Sequence, residues 1–304
     1  MLSRCLCLIL ALLALPVAAA PRVVTDIAPV QSLVAQVMQG VGEPVNILRP
    51  GASPHHHALR PSEAAALDTA DVIFRVGGGL TPWLDRVLEN LAGDARVITL
   101  IDVPGTIRHP AREMALFALQ APLQGADEGH DHDHGGLDPH AWLDPENGKI
   151  WLDAIARALG ERDPENAALY LQNAAAGKAG IDATMRTVAA ILAPLESARF
   201  IVYHDAYQYF ERRFGLSVVG AISVADARPP GPARLARLRD RLGGMKIDCV
   251  LAPPQSDPRV IAAVLDGGAA RIAVLDPLGA GLARGPDFYT TLLTGMAEAI
   301  ARCR

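Results

Sequence analysis

The sequence predicts an α/β protein with two lobes, in which each lobe has a parallel sheet flanked by helices and one long linking helix joins the lobes. Short apolar, β-branched segments recur along the chain, with helical stretches between them. They fall into two sets of four on either side of an alanine-rich stretch at residues 164–195. Continuous apolar strands that alternate with helices are typical of parallel sheets covered on both faces. At 304 residues, the chain is long enough for two lobes with hydrophobic cores.

The first twenty residues predict a secretory signal peptide. Arg4 precedes an apolar run at residues 6–15, and small residues at positions 17–20 are typical of a cleavage site. The run is too short to span a bilayer comfortably, which disfavours a retained membrane anchor. Removal of residues 1–20, which contain one basic side chain, changes the formal net charge from −5 to −6. We therefore expect an exported, periplasmic protein.

The first lobe is predicted to occupy residues 21–163. Its strand-like segments lie at residues 22–26, 44–48, 71–76 and 96–101, and helical patterns lie between them, for example at residues 30–38 and 62–67. Near its end, residues 125–136 form a polar, glycine-bearing segment with no helical or strand periodicity, which predicts a mobile surface loop. This His-rich loop contains His130, His132 and His134.

The linking helix is predicted at residues 164–195. Asp163 is a suitable N-cap, and Pro164 suits the first turn of a helix. Alanine and leucine dominate the stretch, although Gly177 and Gly180 each weaken a helix by about 1 kcal/mol relative to alanine. Those glycines leave open two shorter helices with a break near Gly177.

The second lobe is predicted to occupy residues 196–304. Its strand-like segments lie at residues 199–203, 216–220, 247–251 and 271–275, and a helical pattern covers Pro232–Leu242. The lobe therefore repeats the alternation of strands and helices that predicts the first one.

Composition excludes several classes of protein. Half of the residues are apolar and a fifth are charged, as in folded globular proteins. A net charge of −5 without a basic cluster argues against a nucleic-acid partner. The four cysteines are too few for a disulfide scaffold and lack the CxxC spacing of a zinc finger.

Three histidines and one carboxylate are the candidate metal ligands. His55 follows the segment at residues 44–48, whereas His204 and Asp276 directly follow segments of the second lobe. His140 lies just beyond the polar loop. In open α/β sheets, ligands bind outside the carboxyl ends of the strands. Each residue alone has an ordinary structural explanation, but three imidazoles with one carboxylate suit a tetrahedral zinc site.

Four motifs resemble those of one family. They are GASPHHHALRPS at residues 51–62, DPHAWLDP at 138–145, YHDAYQYF at 203–210 and LDPLG at 275–279. Together, and in this order, they resemble the zinc-specific periplasmic solute-binding proteins, which are the capture subunits of bacterial zinc ABC importers. The resemblance covers nearly the whole mature chain and places it in the metal-binding cluster whose lobes are joined by a helix.

The resemblance implies a metal site in the cleft between the lobes. Its ligands are His55, His140, His204 and Asp276, although in some members of the family water or a glutamate replaces the aspartate. His56 and His57 are neighbours that could substitute for His55. By the same pattern His130, His132 and His134 are candidates for a weak auxiliary metal site, and a solvated loop with incidental affinity for zinc is the alternative. Asp138 and Asp205 are candidates for orienting the histidines next to them in the chain.

The resemblance also implies a disulfide bond. Cys249 and Cys303 are the two cysteines that remain after the signal peptide is removed. An oxidising compartment favours their pairing over two free thiols.

The implied function is zinc capture and delivery to a permease in the inner membrane. The protein is expected to be a monomer and not an enzyme, and passage of zinc through a periplasmic chaperone stays open. A manganese- or iron-binding member of the same cluster is the first alternative, but such members usually have glutamate where this chain has His204. A zinc hydrolase is the second alternative, and it would need a general base such as the glutamate of HExxH, a motif that the sequence lacks.

Overall fold

A computed structural model of the chain describes residues 20–112, 136–223, 231–243, 245–254, 256–265 and 270–303. Residues 1–19 of the predicted signal peptide lie outside this range, as do His130, His132 and His134. None of the helices in the described ranges is long and apolar enough to cross a membrane.

The first sheet is parallel and has the strand order β2-β1-β3-β4. Proline stands in the first turn of each of the three helices that connect its strands, where its missing N–H costs nothing. The strands and helices, in chain order, are β1 (Val23–Thr25), α1 (Ala28–Val37), β2 (Val45–Asn46), α2 (Pro61–Asp68), β3 (Val72–Arg75), α3 (Pro82–Leu91) and β4 (Arg96–Thr99).

Two long helices follow. α4 (Pro145–Arg162) begins at Asp144, whose side chain accepts a hydrogen bond from the backbone N–H of Glu146, and α5 (Ala167–Leu192) is the linking helix. Short 3-10 turns flank α5 at Pro164–Asn166 and Ala193–Leu195.

α5 is continuous through both of its glycines. A Cβ atom at Gly177 would lie 2.9 Å from the Leu152 side chain and 2.5 Å from that of Gln36, whereas one at Gly180 would meet open space. Gly177 therefore allows α5 to approach α4 and α1 closely. The residue that suggests a break in the sequence serves helix packing in the structure.

The second sheet is also parallel, and its order β6-β5-β7-β8 repeats the order of the first. The remaining elements are β5 (Arg199–His204), α6 (Gln208–Phe214), β6 (Ser217–Ser223), α7 (Pro232–Leu242), β7 (Cys249–Ala252), α8 (Pro258–Leu265), β8 (Arg271–Val274) and α9 (Phe288–Ala301). Within the described ranges, the eight strands coincide with the eight predicted segments to within a few residues, so the predicted fold class is confirmed.

The main hydrophobic core is shared by the two lobes. It joins side chains of both sheets to side chains of α5, and examples are Leu33, Tyr170, Ile181, Phe200 and Leu293. α9 packs on α5 and α1 as well as on β8, so it connects the end of the chain to the first lobe. Smaller clusters cover the other face of each sheet.

The disulfide between Cys249 and Cys303 is present, with the two Cα atoms 5.7 Å apart. It links the start of β7 to the segment that follows α9. The pairing predicted from the sequence is therefore confirmed.

Candidate metal centre

Three histidines converge at the cleft between the lobes. His55, His140 and His204 each offer a ring nitrogen, and these atoms all lie within 4.8 Å of one another. The ring centroids are 5.7 Å apart for His55 and His140, 6.2 Å for His55 and His204, and 5.4 Å for His140 and His204. Among the described residues, this is the set of histidine, cysteine and acidic side chains grouped closely enough to hold a metal ion.

Each histidine comes from a different kind of segment. His204 is the last residue of β5, at the carboxyl end of the second sheet. His55 lies in the loop between β2 and α2. His140 precedes the 3-10 turn Ala141–Leu143, which leads into α4. The first lobe thus supplies two of the three histidines and the second lobe supplies one.

His140 is oriented by Asp138. Its Nδ1–H donates to Asp138 Oδ1 at 2.8 Å, and its backbone N–H donates to the same oxygen at 2.9 Å. Both side chains are buried. Because Nδ1 makes this hydrogen bond, Nε2 is the atom that the ring offers to a metal.

The loop that carries His55 is held by two helices of its own lobe. The indole N–H of Trp83 in α3 donates to the carbonyl oxygen of Pro54 at 2.7 Å. His57, two residues after His55, forms a hydrogen bond with Glu63 of α2 at 2.8 Å. Its ring packs on the Trp83 ring, with the centroids 5.0 Å apart. His57 is therefore engaged in the support of the loop, and His56 is exposed.

Glu63 links the loop that carries His55 to the start of α2. Its carboxylate accepts the backbone N–H of Arg60 at 2.9 Å and so caps the start of α2. Burial favours the neutral acid, but the N–H of Arg60 and the ring of His57 outweigh it and hold the pKa of Glu63 below its usual range. The carboxylate is thus the form that anchors His57.

Asp276 lies outside the group of three histidines. It lies two residues after the end of β8. Its two oxygens accept the backbone N–H groups of Leu278 at 2.9 Å and Ala280 at 2.7 Å. Here the carboxylate closes a turn, and it is only partly buried. Its predicted role as a fourth ligand stays a prediction.

A buried ion cluster lies beside His204. Arg112 Nε lies 3.1 and 3.0 Å from the two oxygens of Asp205, and its Nη1 lies 2.7 Å from Glu211. Burial opposes the charge on Arg112, but the two carboxylates outweigh it and raise the pKa of the guanidinium above its usual range. Asp205 thus pairs with an arginine, whereas Asp138 is the neighbour that orients its histidine.

Sequence reasoning missed the residues that support the ligands across long chain distances. Trp83, Arg112, Gln208 and Tyr209 contact the segments that carry histidines, yet each is remote in sequence from what it holds, whereas Glu63 is near His57 in the chain. Of these residues, Gln208 and Tyr209 lie inside the YHDAYQYF motif, and their place in it is the one feature of the sequence that could have pointed to a role near the site.

Comparisons with known proteins identify the family of this chain and agree with its fold. The family described as "Zinc-uptake complex component A periplasmic" (ZnuA) matches residues 23–303. The chain is 41% identical to the high-affinity zinc uptake system protein ZnuA of Brucella abortus, with 92% of this chain and 91% of the relative covered. It is also 41% identical to the protein of the same name from Paracoccus denitrificans, with 93% and 91% covered.

A solved structure has the same fold. A crystal structure of ZnuA superposes with a TM-score of 0.73 at 24% sequence identity, over 93% of this chain and 98% of the other. Because the family match extends over nearly the whole described chain, this chain belongs to the ZnuA family of periplasmic zinc-uptake components.

Proposed function

We propose that the protein binds zinc in the periplasm and delivers it to the permease of an ABC importer in the inner membrane. The observation that carries this proposal is the convergence of His55, His140 and His204 between the lobes. Relatives that are 41% identical are named as high-affinity zinc uptake proteins, which supports zinc as the cargo.

The chemistry of the ligand set favours zinc over manganese or iron. Zinc accepts imidazole nitrogens in a tetrahedral arrangement, with bonds of about 2.0–2.1 Å. Manganese prefers more oxygen ligands and a larger coordination number. His204 keeps the set rich in nitrogen. Asp276 or a water molecule would complete the four ligands.

Calorimetric titration of the mature protein with zinc tests the proposal. Replacement of His55, His140 or His204 by alanine should weaken zinc binding by more than about 100-fold, beyond the effect usual for loss of an outer hydrogen-bond partner. His56→Ala is the matched control, since this exposed neighbour of His55 should leave the affinity unchanged. Wild-type affinity in the His140→Ala variant would refute the site.

The fourth ligand requires its own variant. Asp276→Asn keeps an oxygen that can accept a hydrogen bond in the turn but removes the charge. We expect weaker zinc binding if the carboxylate coordinates the ion. An unchanged dissociation constant would assign the position to water.

The cellular part of the proposal concerns export, delivery and assembly. Mass spectrometry of the protein purified from the periplasm should find a mature N-terminus near residue 20. Growth of a bacterium in zinc-depleted medium should require both this protein and the permease. Light scattering should find a monomer.

A non-enzymatic role implies that the zinc-loaded protein hydrolyses no ester or peptide substrate, in contrast to the hydrolase alternative.

The histidines outside the described range are proposed to assist zinc loading. Deletion of residues 129–136 removes His130, His132 and His134. It should lower the number of weakly bound zinc ions or the rate of loading while the main site still binds one ion. Unchanged stoichiometry and loading rate would exclude this role.

A further inference from the structure

The start of α6 reaches from the second lobe to a segment of the first. Gln208 and Tyr209 are the first two residues of this helix, and both are almost completely buried. Their polar groups therefore need partners inside the protein. Those partners lie in the segment next to His140.

Gln208 binds the side chain of Asp138. In the orientation of its amide that satisfies the surrounding groups, the nitrogen donates to Asp138 Oδ2 at 3.0 Å and to the carbonyl oxygen of Pro110 at 3.1 Å. Asp138 itself is 4% exposed, so this bond replaces a water contact that its oxygen would otherwise make.

Tyr209 binds the backbone of the same segment. Its hydroxyl donates to the carbonyl oxygen of Asp138 at 3.0 Å and accepts the backbone N–H of His109 at 3.1 Å. The main chain and the side chain of Asp138 are therefore both held by consecutive residues of α6.

The two oxygens of Asp138 have different partners. Oδ1 accepts the ring and backbone N–H groups of His140, whereas Oδ2 accepts the amide of Gln208. Rotation of the carboxylate would disturb both sets of bonds at once. A hydrogen-bonded chain thus runs from the second lobe to a ligand that the first lobe supplies.

We propose that Gln208 is a positioning residue for metal binding, which acts on His140 through the carboxylate of Asp138. This proposal rests on the proposed zinc site. A carboxylate that accepts from Nδ1–H fixes the ring orientation and raises the basicity of the other nitrogen, and the loss of such a partner typically costs about 10–100-fold in metal affinity. Gln208 keeps that carboxylate in the orientation that His140 requires.

α6 also contains a matched control for this proposal. Arg213 makes a two-pronged ion pair across the lobes, with Nε 2.7 Å from Asp144 Oδ1 and Nη2 2.8 Å from Oδ2. Asp144 caps α4. Loss of Arg213 should therefore lower stability without a change in zinc affinity.

The test compares zinc dissociation constants, measured by competition with a chromophoric chelator, and melting temperatures. Asp138→Ala should weaken binding about 10–100-fold, and Asp138→Asn should recover part of the loss because its amide oxygen still accepts from Nδ1–H. Gln208→Met, which nearly conserves volume, should weaken binding less than Asp138→Ala. In the Asp138→Ala background, Gln208→Met should cause no further loss.

The outcomes separate a positioning role from a structural one. An unchanged dissociation constant in Gln208→Met would overturn the proposal, as would a further loss in the Asp138→Ala background. The proposal would also be overturned if Arg213→Met and Gln208→Met lowered the melting temperature equally and weakened zinc binding equally. If the wild-type protein does not bind zinc, the proposed function fails instead.

Discussion

The two segments of the first lobe that carry candidate ligands are supported in different ways. The loop with His55 is held by α2 and α3 of its own lobe, through Glu63 and Trp83. The turn with His140 is held by α6 of the other lobe, through Gln208 and Tyr209. Two histidines on the same lobe thus depend on different parts of the molecule.

This difference indicates that two contacts between the lobes, those of Gln208 and Tyr209 with Asp138, support the turn that carries His140. The interface carries buried ion pairs, and the shared core passes through α5 and α9. Loss of the Gln208 or Tyr209 contacts should therefore act on His140, whereas a change in α2 or α3 should act on His55. Variants of each region can test this separation.

The largest expected effect is at the interface, in Arg112→Met. This change leaves the buried carboxylates of Asp205 and Glu211 without their guanidinium, and breaking such a cluster costs about 3–5 kcal/mol. We expect a large decrease in the free energy of unfolding, measured with urea, and weaker zinc binding. A loss below about 1 kcal/mol would show that the interface supports the fold much less than its contacts indicate.

The second effect is a pH dependence of the free energy of unfolding, and it comes from Asp26, which follows β1 of the first sheet. Burial raises the pKa of Asp26 to about 7, although its oxygens accept the N–H groups of Ile27 and Val76. Between about pH 4 and 7, Asp26 therefore keeps its proton in the folded protein and is ionised in the unfolded chain. The free energy of unfolding should fall by up to about 4 kcal/mol as pH rises through this range.

Comparison with Asp26→Asn isolates this contribution, since the amide does not titrate. The difference in unfolding free energy between wild type and variant should change across pH 4–7, and the slope should persist in Arg112→Met. A difference that is constant with pH would mean that Asp26 is ionised in the folded protein. Loss of the slope in Arg112→Met would contradict the independence of the two regions.

A smaller effect is expected for the support of His55. His57→Phe keeps a ring against Trp83 but removes the bond to Glu63, so zinc affinity should fall several-fold, by an amount typical of one hydrogen bond of about 1 kcal/mol. Titration calorimetry measures this change. A loss as large as that of His55→Ala would instead identify His57 as a metal ligand. Combined with Gln208→Met, the effects should add, since the two supports share no residue.

The smallest effect is expected at the surface beside the same loop. Arg49 lies 3.8 Å from Glu63, and its side chain is 51% exposed. Exposed ion pairs contribute about 0–1 kcal/mol, so Arg49→Gln should change neither zinc affinity nor melting temperature measurably. A clear loss of affinity would show that Glu63 depends on this outer charge as well as on His57.

The sequence predicts the fold well because the relevant patterns are local. Apolar strand segments and helical stretches identify the two sheets, and the position of His204 at the end of a strand follows from the same pattern. Asp138 is near enough to His140 in the chain to be considered as its partner. The roles of Gln208 and Trp83 depend on how distant helices pack, and one sequence contains no direct signal for that.

Helix packing also limits what could be predicted from individual residues. Gly177 suggests a helix break, yet it permits close contact of α5 with α4. The position of α9 against α1 likewise follows from the shared core and not from the order of elements. Propensity describes one segment at a time, whereas these positions depend on pairs of segments.

The disulfide has a consequence for the way the chain would respond to a protease. Cys249 and Cys303 enclose β7, α8, β8 and α9 in one covalent ring. A single cut of the backbone inside this ring would leave both pieces attached through sulfur. Because α9 also packs on α1 and α5, a protein nicked there would keep its end connected to the first lobe, and release of the fragment would require both reduction of the disulfide and loss of this packing.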